Sequence, residues 1–242
     1  RHSSSAASDV YKRQILGEFM KIGILQTGKS HQSLLDKFGD YPDLFKNFLD
    51  SEDFVFETYP VLEMIFPKSS DECDGWLITG SRHGVYENHE WLPPLREFIK
   101  RIYKNKTPLV GICFGHQIIA QALGGVVEKF KGGWCVGATK YKFGDKDVTL
   151  NAWHQDQVIV PPANAKTVMT NEFCKFAGLN YDEKIITFQP HPEFNSDYVD
   201  GLIENRGRGI VPGSLLVAAK SKLHSSNDND LLATKILSFF VK

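Results

Sequence analysis

The stretch that most constrains the fold is residues 107–125, "TPLVGICFGHQIIAQALGG". Residues 107–113 are an apolar run that predicts a buried strand, and residues 115–125 predict a helix closed by Gly124 and Gly125. Gly111-Ile112-Cys113-Phe114-Gly115 joins them with the form G-x-nucleophile-x-G, cysteine standing at the centre. Small flanking residues permit the strained turn, and the turn lifts the central side chain clear of the sheet. A helix N-terminus adds unpaired N–H groups and a partial positive charge, which favour thiolate over thiol. The competing reading of Cys113 is a buried structural cysteine.

The rest of the chain supplies the frame. Residues 20–28 and 53–61 predict two strands, with a helix over 41–49 between them. Residues 74–81, "DGWLITGS", predict a third strand. In residues 91–105, Leu92, Leu95, Phe98, Ile99 and Ile102 form one helical stripe, with the prolines in the first turn. Strands alternating with helices predict an α/β fold with a mainly parallel open sheet flanked by helices. The middle differs: "GATKYKF", "DVTLNAWH", "QVIVPP" and "AKTVMTN" are short strand candidates separated by turn residues, and predict a small antiparallel section. Residues 184–194, "KIITFQPHPEF", return to one strong strand, and residues 230–242 predict a terminal helix.

Composition bounds the function. The chain has 242 residues, with 28 basic against 29 acidic side chains and a formal charge of −1, so no polyanion-binding surface and no nucleic-acid partner are expected. No apolar run approaches the roughly 18 residues of a membrane span. Cys73, Cys113, Cys135 and Cys174 have no CxxC spacing, which argues against a disulfide framework or a zinc knuckle. Residues 1–19 read as a disordered or non-native extension with no signal-peptide core, and residues 20–242 as one domain. The cytoplasm is the expected compartment.

A cysteine nucleophile needs a base, and the base an orienting group. His191 follows the strong strand, Glu193 is two residues on, and Pro190 and Pro192 restrict the backbone on both sides. Two other histidines compete: His116 on the elbow helix, expected to pack nearby, and His154 in "AWHQDQV", expected to line the pocket. An oxyanion needs donors. The N–H of Phe114 is one candidate; Gly80, at the end of a neighbouring strand, offers another.

Together, the turn "ITGS", the elbow "GICFGHQ" with its "LGG" helix end, and "HPE" resemble a class I glutamine amidotransferase domain. The resemblance implies a flavodoxin-like sheet and a triad of Cys113, His191 and Glu193. It places the oxyanion donors at Gly80 and Phe114, and Gln117 where the substrate's amino acid end is held. "GGWCVGATKY" and "WHQDQV" are similar to stand-alone members, including plant γ-glutamyl peptidases. One departure is "TGS", where many members carry a "GGP"-type turn.

The implied chemistry is hydrolysis of a γ-glutamyl amide through a thioester, with no cofactor. The alternatives are a glutaminase subunit feeding ammonia to a separate synthase, and a catalytically silent binding protein on the same fold. "GGWCVGATK" is no phosphate loop, because Ala138, followed by Thr139, stands after Gly137 where Lys is required. His83, Glu87, His89 and Glu90 in "HGVYENHE" lack H-E-x-x-H or facial-triad spacing, so no metal is expected. Tyr86, Trp91, Trp134 and Trp153 are expected to form a rim for a leaving group larger than ammonia.

Overall fold

The computed structural model of the protein describes residues 19–242, so the expected extension lies outside the described residues except for Phe19. β1 (Met20–Leu25) leads to two short helices, α1 (Gln32–Phe38) and α2 (Tyr41–Phe48). Asp40 and Asp43 form a capping box at the start of α2, satisfying donors that a helix end leaves open. β2 (Phe54–Tyr59), β3 (Gly75–Ile78), α3 (Leu92–Asn105), β4 (Leu109–Ile112) and α4 (Phe114–Ala122) follow. The middle holds β5 (Val126–Lys129), β6 (Cys135–Phe143), β7 (Lys146–His154), β8 (Asp156–Val160), β9 (Ala165–Thr170) and β10 (Gly178–Tyr181). β11 (Ile185–Phe188) precedes α5 (Ser196–Leu202), α6 (Gly213–Lys220) and α7 (Asn229–Phe240).

Nine strands form one sheet in the order β2-β1-β3-β4-β11-β10-β9-β6-β7. The first five of these pair in parallel, which is the flavodoxin-like order. From β11 outward the pairing is antiparallel. The antiparallel strands of the middle therefore extend the same sheet, while β5 and β8 pair apart from it. Successive strand residues face opposite layers. Trp76 and Ile78 pack with the α3 stripe Leu92, Leu95, Phe98, Ile99 and Ile102. Leu77, between them, packs with Phe45 of α2 and with Leu232, Ile236 and Phe240 of α7. Burying each large apolar side chain in these layers stabilises the fold by about 1.5–3 kcal/mol before entropy is counted.

Three neighbouring parallel strands end together. Ile78 of β3 pairs with Gly111 of β4, and Thr187 and Phe188 of β11 pair with Gly111 and Ile112. Their carboxyl ends bring loop 79–91, Cys113 and residues 189–194 to one edge, where open α/β sheets bind ligands. Two glycines allow α4 to sit this close. A Cβ on Gly115 would lie 2.3 Å from the Ile78 carbonyl oxygen, and one on Gly111 would lie 2.7 Å from the Gly115 backbone.

Gly115→Ala should therefore destabilise the protein by about 1–3 kcal/mol, because the obstacle is backbone that cannot rotate away. Gly213→Ala is the control: it meets no atom within 4 Å and starts α6. It should be neutral or stabilising by up to about 1 kcal/mol. Urea unfolding midpoints measure both.

Candidate active site

Cys113 stands between β4 and α4 with φ 51° and ψ −100°. Such a conformation costs a non-glycine residue about 1–3 kcal/mol and marks a strained strand-to-helix turn. The Cys113 N–H donates to the Phe188 carbonyl at 2.8 Å, which ties the turn to the end of β11. Its side chain is almost buried and lines a cavity of about 180 Å³ together with Gln117, His154 and His191. The other thiols do not line this cavity. Burial pushes Cys73 up to about 11 and raises Cys135 and Cys174 as well, so these three stay protonated.

His191 is held on every side. Its N–H donates to the Asn151 carbonyl at 2.8 Å, and its ring stacks on Phe194 at 4.0 Å, with planes 4° apart. Nδ1 donates to Glu193 Oε1 at 2.7 Å, and both side chains are nearly fully buried. Nε2 is then the nitrogen left for the sulfur. Burial disfavours the His191 cation, but the Glu193 carboxylate and the Cys113 sulfur outweigh it and push the imidazole up to about 10.

The two competing histidines behave differently. His116 is fully buried on α4 with Nδ1 2.8 Å from Thr187 Oγ1, and burial drives it down to about 3. It packs beneath the site, as its position on the elbow helix predicts. His154 lines the cavity. Its Nδ1 lies 3.3 Å from the Asp156 carbonyl, an acceptor, so Nδ1 carries the proton. Burial, with the nearby His191 charge, lowers His154 to about 3. Its Nε2 is buried with no hydrogen-bond partner among the described residues and is left as an acceptor.

Gln117 spends its amide protons internally, on the Asp156 carbonyl at 2.9 Å and on Gln189 Oε1 at 3.0 Å. Gln189 in turn donates to Cys113 Sγ at 3.5 Å. Sequence reasoning missed Gln189. The only local signal was its place at the end of the strong strand, one residue before Pro190. Of the expected rim, Tyr86, Trp134 and Trp153 line the cavity. Trp91 does not: it is buried and packs on the Phe114 ring at 5.5 Å, because it begins the apolar stripe of α3.

A family model for class I glutamine amidotransferases matches residues 54–206, which contain Cys113, His191 and Glu193. The chain belongs to the class I glutamine amidotransferase family. A Saccharomyces cerevisiae protein, provisionally named a glutamine amidotransferase, is 32% identical over 213 residues, covering 78% of this chain and 84% of that protein. Gamma-glutamyl peptidase 4 of Arabidopsis thaliana is 26% identical over 222 residues, covering 85% of this chain and 88% of that protein. A solved glutamine amidotransferase structure from Methylobacillus flagellatus has the same fold, with a TM-score of 0.74 at 18% identity over 92% of this chain and 94% of that one.

In this amidotransferase domain the turn after β3 reads Thr79-Gly80-Ser81. Thr27 Oγ1 donates to the Thr79 carbonyl at 2.9 Å, and Thr79 Oγ1 donates to the Gly80 carbonyl at 3.0 Å. A trans peptide points its N–H opposite its carbonyl, so Thr27 fixes the direction of the Gly80 N–H. Gly80 lies against the His191 ring, where a Cβ would fall 2.8 Å from Cε1. Phe114 begins α4, so its N–H has no partner in a preceding helical turn. Among the described residues no helix is long and apolar enough to cross a membrane.

NMR titration of the ring nitrogens should find His191 charged through neutral pH and losing its proton towards about 10. Glu193→Gln should lower that value, because the nearest negative charge is gone. The linked stability has a fixed sign. It is fully present below the ordinary imidazole value near 6.5 and is lost as pH rises towards about 10. Urea midpoints between pH 6 and 10 should fall more steeply in the wild type than in Glu193→Gln.

Proposed function

We propose that the protein hydrolyses γ-glutamyl amide bonds, in γ-glutamyl peptides or amines as well as in glutamine, through a thioester on Cys113. One observation carries this reading. A buried imidazole is made cationic by Glu193 on one nitrogen and faces, with the other, a thiol at a strained strand-to-helix turn that opens into a cavity. The name of the Arabidopsis relative supports the γ-glutamyl part. The proposed compartment is the cytoplasm, which suits four free cysteines.

The Cys113 thiolate attacks the γ-carbonyl carbon, and the carbonyl electron pair moves to oxygen. The Gly80 and Phe114 amides receive that oxyanion. His191 Nε2–H protonates the leaving nitrogen as the C–N bond breaks, giving the amine and the thioester. Neutral Nε2 then takes a proton from water, whose oxygen attacks the thioester. Collapse releases glutamate and restores the thiolate–imidazolium pair. Glu193 keeps the Nδ1 proton in place and stabilises the cation. Gln117, through its carbonyl, helps hold the substrate's amino acid end, and His154 lines the cavity beside it.

Space beyond the scissile nitrogen supports a leaving group larger than ammonia. A second cavity of about 770 Å³ shares Arg82, His83, Trp134, Trp153 and Arg206 with the first. Two guanidiniums suit the carboxylate of a peptide leaving group. Arg82→Ala should raise KM for γ-glutamyl peptides with a free C-terminal carboxylate at least 10-fold more than for uncharged γ-glutamyl amines, in steady-state assays of both.

The deciding experiment follows glutamate release by the purified chain from glutamine and from γ-glutamyl peptides and amines. We expect faster turnover of at least one peptide or amine than of glutamine. Cys113→Ala should lose several orders of magnitude, while Cys135→Ala keeps most activity. A folded Cys135→Ala as inactive as Cys113→Ala would overturn the elbow assignment. Turnover of glutamine alone, and only with a second protein added, would favour a glutaminase subunit.

A further inference from the structure

Loop 79–91 carries a second cluster that the hydrolysis scheme does not use. Glu87 N–H donates to the Gly84 carbonyl at 3.1 Å, a tight turn that folds Glu87 back towards His83. His83 Nδ1 then lies 3.3 Å from Glu87 Oε2, and His89 Nε2 lies 2.6 Å from the same oxygen. The ligand atoms of the three residues all lie within 4.8 Å of one another. Sequence spacing hid this, because two histidines six residues apart share no helix face. A turn, not a helix, brings them together.

Other features of the cluster suit a cation. The His83 and His89 ring centroids are 4.2 Å apart. Neutral imidazole nitrogens are common ligands of divalent metals. The rings are also held in place. His89 stacks on Trp91 at 5.8 Å with planes 15° apart, and His83 meets the same Trp91 edge-on at 6.0 Å. Trp91 is buried against Phe114. Two imidazoles and one carboxylate are a ligand set that zinc accepts, with a fourth position left for water or a ligand. Arg82, Lys129 and Arg206 line the same cavity and are the charges that oppose a cation there.

We propose that His83, Glu87 and His89 form a binding site for a divalent ion of the zinc class, set in the rim of the cavity that contains Cys113. His83 and Glu87 both line that cavity, so the ion sits beside the entry route and ties three points of loop 79–91 together. The inference does not depend on the proposed hydrolysis, since it rests on ligand geometry alone.

The test is calorimetric titration of the full chain with zinc chloride, in the wild type, Cys113→Ser, His89→Ala and Glu87→Gln. Cys113→Ser is included because a thiol beside His191 is itself a possible zinc ligand. We expect one saturable site in the wild type, retained in Cys113→Ser, and weakened at least 10-fold in His89→Ala and in Glu87→Gln. Zinc should also raise the melting temperature of the wild type and of Cys113→Ser, and not that of His89→Ala. Cobalt in place of zinc should give visible bands without thiolate charge transfer. Absence of saturable binding in the wild type would overturn the proposal. So would binding abolished by Cys113→Ser and unchanged in His89→Ala. Should His89→Ala fail to fold, Glu87→Gln gives the same reading from a partly exposed side chain.

Discussion

The hydrogen bond from Cys113 N–H to the Phe188 carbonyl, 2.8 Å long, fixes the relation between two segments far apart in sequence. It continues the parallel pairing of β4 with β11 beyond the last strand residue. Because that register is set, Gln189 reaches the Cys113 sulfur and the next turn of chain carries His191 over it. A one-residue slip would send every side chain of β11 to the other face and remove His191 from the thiol. The hydrophobic layers on both faces resist such a slip.

The strained turn persists because its surroundings leave it no alternative. Cys113 cannot relax to negative φ without moving α4, and α4 is wedged against the Ile78 carbonyl through Gly115. The strain is small beside the apolar burial of the layers that hold it. Polar groups around the thiol are tied with the same economy: Gln117 to Gln189, Gln189 to Cys113, Thr27 to the peptide before Gly80. His154 Nε2 and one oxygen of Glu193 stand out as buried acceptors without partners among the described residues.

Much of the fold was legible because its signals are local. The strand–turn–helix around Cys113 is written in consecutive residues, and so is the pairing of His191 with Glu193. The α3 stripe and the parallel strands follow from periodicity. What escaped was short or non-local. β10 is four residues, "GLNY", and is a strand only because β9 and β11 flank it. α1, seven residues beginning at a histidine cap, has too little apolar pattern to declare itself. Gln189, Thr27 and the Asn151 carbonyl act through partners tens of residues away, and no spacing rule reveals them. Trp91 read as a rim aromatic because sequence cannot say which face of a helix start is covered. The turn at Cys113 and the His191–Glu193 pair were visible; the network that holds them was not.

The stack of His191 on Phe194, with planes only 4° apart, has a consequence for the order of events. A ring clamped this way, with one nitrogen committed to Glu193, does not turn over between steps. In the proposed reaction the same Nε2 atom must therefore release a proton to the departing amine and later collect one from water. Two molecules cannot occupy that single position at once. The amine has to leave before water can enter, so the fixed ring acts as a turnstile that enforces sequence without any moving lid.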